Sequence, residues 1–88
     1  MKVLMKEIEV IAYFNLKGLP NPIRFRIDSP ETSSQEVISI DSILHIEQTK
    51  KAGVLMLRYD CQGIVNGLMK PFQLVYETTK YRWYLFKI

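Results

Sequence analysis

Apolar and polar residues alternate along most of this chain, which is the period of a β-strand with one buried face. Between Glu7 and Phe14, the residues Ile8, Val10, Ala12 and Phe14 fall on one parity. Between Pro22 and Asp28, Ile23, Phe25 and Ile27 point one way and Arg24, Arg26 and Asp28 the other. From Val37 to Gln48, Ile38, Ile40, Leu44 and Ile46 share a parity interrupted by Ser42. The opposite parity carries Ser39, Asp41, His45 and Glu47, with Ile43 the exception. Ser33-Ser34-Gln35-Glu36 fits a helix capping box. A helix here would scatter its apolar residues around the axis, however, and four of the ten residues from Val37 are β-branched Ile. The pattern predicts a strand.

The second half repeats the logic. Leu55, Leu57, Tyr59, Cys61, Gly63 and Val65 form one face, and Met56, Arg58, Asp60 and Gln62 the other. Asn66-Gly67 is the signature of a type I′ hairpin turn, which needs positive φ at both central residues. The returning strand places Leu68, Phe72, Leu74 and Tyr76 on one face. Pro71 cannot donate a ladder hydrogen bond, so it is expected at an edge or a bulge. The last strand, Tyr81 to Ile88, is apolar or aromatic on both parities and is expected to be covered on both faces.

Loops are marked by Lys17-Gly18-Leu19-Pro20-Asn21-Pro22, by Lys50-Lys51-Ala52-Gly53 and by the polar segment from Ser29 to Gln35, the expected mobile stretch. Six strands with short turns and no helix predict a single all-β domain over residues 1–88. The expected architecture is an antiparallel meander closing into a small SH3-like barrel, with an OB-like barrel as the alternative.

Composition narrows the class further. The 88 residues are 48% hydrophobic and 24% charged, values of a globular chain and not of a disordered one. No apolar run exceeds five residues (Val10 to Phe14), against roughly 20 for a membrane-spanning helix. Charges at Lys2, Lys6 and Glu7 occupy the place where a signal peptide needs its apolar centre. A single cysteine offers no intrachain disulfide, and a cytoplasmic location is expected. The net charge of +3 is modest and dispersed, with Lys50-Lys51 the one adjacent basic pair.

Catalytic chemistry finds little purchase. Cys61 falls on an apolar parity, where a buried thiol is inert, and His45 falls on the polar parity of a different strand. Structural zinc needs four Cys or His ligands and the chain has two in total. Asp41, His45 and Glu47 share a polar strand face, the ordinary outer surface of a sheet. No enzyme activity, cofactor, metal or small-molecule substrate is expected.

Two binding readings remain. Six of the ten aromatic residues lie between Phe72 and Ile88. A strand apolar on both faces, in a domain too small for two cores, points to a partner covering one side. Trp83, Tyr84, Phe86 and Ile88 are the candidate contact residues, and the partner is a second copy or another protein. The alternative is a barrel that binds single-stranded nucleic acid through Arg24, Arg26, Arg58 and Arg82, with Tyr84 as a stacking surface. Glu7, Glu9, Asp28 and Asp60 decorate the same faces, an interleaving that favours cross-strand ion pairs.

Several segments together resemble a family of small stand-alone hypothetical proteins of Gram-positive bacteria. They are Pro22-Ile23-Arg24-Phe25-Arg26, Val37 to Leu44, Lys51-Ala52-Gly53, Tyr59-Asp60-Cys61-Gln62, Tyr76-Glu77 and Trp83 to Ile88. That resemblance implies a single cytosolic β domain of unassigned function, with no catalytic residues to transfer. Trp83-Tyr84-Leu85 also resembles the motif of WYL regulatory domains, which are Sm/SH3-like barrels.

Overall fold

The computed structural model describes residues 1–29 and 34–88; the loop expected to be mobile falls largely on residues 30–33, outside the described residues. Seven strands follow in chain order: β1 Val3–Phe14, β2 Pro20–Ser29, β3 Ser34–Ser39, β4 Ser42–Lys51, β5 Val54–Val65, β6 Leu68–Glu77 and β7 Arg82–Lys87. All pairings are antiparallel, in a single sheet of order β3-β2-β1-β7-β6-β5-β4. The first and last strands therefore meet in the middle, joining a three-strand meander to a four-strand one.

The strand count corrects the expected six, and the reason is a bend. Antiparallel pairing through the whole order makes β3 and β4 run in the same direction, at opposite edges of the sheet. Only Ile40 and Asp41 separate them. The predicted strand from Val37 to Gln48 is thus one extended run broken at a corner. Its backbone switches partner between adjacent residues: the Ile40 N–H donates to the Ile23 carbonyl of β2, and the Asp41 N–H donates to the Gln62 carbonyl of β5. A corner this short forces the sheet to curl until its edges meet there. Gly63 permits the approach, because a Cβ at that position would strike the Ser39 backbone carbonyl and the Phe72 ring.

The result is a half-barrel, and among the described residues no ladder closes it from β4 to β2. Pro20-Asn21-Pro22 supplies a physical reason. The Pro20 carbonyl points away from β1, where it accepts the Tyr59 hydroxyl. Pro22 is two residues on and shares that orientation, so neither residue of the segment that faces this side has an N–H to donate.

The inner face is the core: Phe25, Ile38, Leu57, Tyr59, Cys61, Phe72, Leu74, Trp83 and Leu85 are buried. The Trp83 ring lies 4.7 Å from Tyr76 and 5.4 Å from Tyr59, and Phe25 meets Phe72 edge-on at 5.3 Å. The parities expected for β5 hold over Leu57 to Val65. Two others are shifted by bulges. On β2 the register slips between Pro22 and Arg24, so Pro22 is buried and Ile23 faces solvent. On β4 it slips at Leu44, which turns Ile43 inward and Leu44 outward. The Asn66-Gly67 turn has φ of 51° and 78°, as a type I′ turn requires. Pro71 lies beyond Gln73, where β7 ends, so its missing N–H faces an unpaired side.

Candidate interaction surface

β7 is flanked on both sides, by β1 and β6. Its residues divide between the two faces of the sheet. Trp83 and Leu85 point into the core, and Ile88 packs against the core beyond the end of the strand. Tyr84 and Phe86 lie half-buried on the outer face, Tyr84 in a row with Glu7 and Val75, and Phe86 beneath the Lys87 ammonium at 5.1 Å. Of the four aromatic-strand residues, Tyr84 and Phe86 are therefore the two that reach the outer surface, and they do so from the middle of the sheet.

The arginines sit on the outer face, and three of the four lie beside a carboxylate of a neighbouring strand. Arg26 bonds Glu9 at 2.7 Å across β1 and β2, and Arg82 bonds Glu7 at 3.0 Å across β7 and β1. Arg58 pairs with Glu47 across β5 and β4 and lies 3.8 Å from Asp60. Arg24 has no carboxylate partner among the described residues. It lines a shallow depression of about 330 Å³ with Ile11, Arg26 and Val37.

Cys61 and His45 lie on opposite faces of adjacent strands. The Cys61 thiol is buried, donates to the Tyr59 carbonyl at 3.6 Å, and has its pKa pushed up to about 12 by burial and by Asp60. His45 is exposed on the outer face opposite Asp60. Among the described residues no group of three His, Cys, Asp or Glu side chains is placed to hold a metal ion. Among the described residues no helix is long and apolar enough to cross a membrane.

The feature that stands open is an edge. β4 bonds β5 on one side and, among the described residues, has no strand on the other. The hairpin joining them turns at Ala52 and Gly53, with φ of 52° and 82°. A two-residue turn of this kind makes Lys51 and Val54 a hydrogen-bonded pair. Alternation then directs the N–H and C=O of Thr49 and Glu47 at β5, and those of Lys50, Gln48 and Ile46 at the free side. Along the same strand Leu44 is 61% exposed and Ile46 45%. Residue chemistry alone does not mark this site, because edge status depends on which strands pair at long range. The one local signal is the broken parity at Ser42 and Ile43.

The chain matches no protein-family model, no characterised protein and no solved structure.

Proposed function

We propose that this chain is a non-enzymatic interaction module that pairs with another polypeptide along the free edge of β4. The observation carrying this reading is an exposed strand whose Ile46, Gln48 and Lys50 backbone groups point into open space beside exposed Leu44 and Ile46. Unpaired ladder groups next to apolar side chains are what strand addition uses: the backbone supplies affinity and the alternating side chains supply selectivity. β7 contributes from the inside, by holding the two meanders together, and Tyr84 and Phe86 add apolar surface on the outer face.

Single-stranded nucleic acid is less well served. Three of the four strand arginines already hold carboxylates, which leaves Arg24 as the uncommitted guanidinium among the described residues.

Amide hydrogen exchange tests the interaction reading. In dilute solution the Ile46, Gln48 and Lys50 amides are expected to exchange fast while Glu47 and Thr49 are protected by β5. Raising the protein concentration, or adding an extract of the host cell, is expected to slow the first three. If those amides exchange equally fast under all these conditions, the reading fails.

A further inference from the structure

The surface that fits this edge best belongs to the molecule itself. We infer that β4 pairs antiparallel with β4 of a second copy, about a two-fold axis through Gln48; this deepens the reading above and rests on it. The segment able to form a regular ladder is bounded on both sides. Leu44 is a bulge, and Ala52 and Gly53 form the turn, so the flat part runs from His45 to Lys51 with Gln48 at its centre.

The free backbone groups obey the same symmetry. Pairing about Gln48 sets Ile46 against Lys50 of the second copy, Gln48 against Gln48, and Lys50 against Ile46. All three outward-directed residues are used, with about six ladder hydrogen bonds. An axis through Ile46 drives the ladder into the Leu44 bulge. An axis through Thr49 or Lys50 drives it into the turn.

The side chains agree with the central register. Ile46 lies opposite Lys50 of the second copy, whose methylene stem can cover it while the ammonium reaches water. The two Gln48 amides meet across the axis. On the outer face Glu47 stands opposite Thr49, with Lys51 on one diagonal as an attractive neighbour and the second copy's Glu47 held off at the other diagonal. A register centred on Glu47 would instead set two carboxylates directly opposite each other. An isologous contact of this kind occupies the exposed edge in a closed dimer, leaving neither copy's β4 open to further growth.

Disulfide trapping reads the register directly. The native Cys61 is buried, so an introduced surface cysteine is the reactive thiol. In the proposed dimer the two residue-48 Cα atoms are about 5.5 Å apart, within disulfide range, whereas the residue-49 pair is diagonal and beyond it. Gln48→Cys is expected to form a covalent dimer on mild oxidation and Thr49→Cys to remain monomeric under the same conditions. By light scattering, wild type is expected to associate with rising concentration, and Gln48→Pro to weaken this roughly 30-fold or more by deleting the central N–H of each copy.

Cross-linking through Thr49→Cys alone overturns this register. Association without cross-linking at either position overturns the β4 contact between copies. A chain that stays monomeric at every concentration, yet whose edge amides are protected by host extract, overturns self-pairing and leaves the interaction reading standing. If neither concentration nor extract protects the edge, both fall.

Discussion

Tyr59 and Cys61 show how single side chains are committed to the core. The Tyr59 hydroxyl gives the Pro20 carbonyl its partner on the side where β2 has no neighbouring strand. Burial pushes the Tyr59 pKa from 10.0 up to about 12, with Cys61 and Tyr76 adding to the effect. Burial, reinforced by Asp60, pushes Cys61 from 9.0 up to about 12. Both groups are neutral in the folded and unfolded states well below pH 9, where their contribution is fully present. As the pH rises past 9.0 and 10.0 the unfolded chain loses these protons first, so stability is lost progressively until about pH 12. Melting temperatures measured from pH 8 upward are expected to fall through this window, and a thiol reagent to label Cys61 only as the protein unfolds. A flat profile with rapid labelling of the folded protein would contradict the burial of both groups.

Among the elements, the hairpins and the corner differ in how well local chemistry suits them. The β5–β6 turn carries Asn66 and Gly67, residues that tolerate positive φ. The β4–β5 turn instead puts Ala52 at φ 52°, a conformation that costs a residue with a Cβ about 1–2 kcal/mol. Replacing Ala52 with Gly relieves that strain and gives back part of the gain as unfolded-state entropy. Ala52→Gly is therefore expected to stabilise the protein by about 0.5–1 kcal/mol, read as a higher denaturation midpoint with an unchanged slope. A loss of stability would mean the turn does not hold this geometry. The corner at Ile40 and Asp41 was half visible in the chain: Ser42 interrupted the apolar parity and Ile43 opposed it, the places where the bend and the Leu44 bulge occur. Alternation registers that a parity changes. It does not say whether a bend, a bulge or a change of partner is the cause.

At the scale of the whole molecule, β7 is the strand on which the rest depends. It pairs with β1 and β6 at once, and Trp83 packs against two core tyrosines with its ring tilted to both. Removing a buried indole costs about 3–5 kcal/mol. That approaches the entire stability of a domain whose small size limits its core. Trp83→Ala is expected to abolish cooperative thermal unfolding, seen by calorimetry. A variant that still melted cooperatively within a few degrees of wild type would show that the two meanders hold without this contact. The ion pairs contribute less. Those of Arg26 with Glu9 and Arg82 with Glu7 are solvent-exposed, and such pairs contribute up to about 1 kcal/mol each.

By itself the sequence determined the all-β class, the inward faces of most strands and the chemistry of the β5–β6 turn. Those properties depend on side-chain period and on backbone preferences over a few neighbouring residues. It also placed arginines and carboxylates on common outer faces, because strand alternation sorts them there. The tertiary structure decided what depends on pairing between distant segments: that β1 meets β7, that the third strand bends to serve both edges, and that β4 is left open. A free edge is defined by the strand that fails to arrive beside it. Prolines at Pro20 and Pro22 and a two-residue corner set that absence, and it emerges only when both ends of the sheet are brought together.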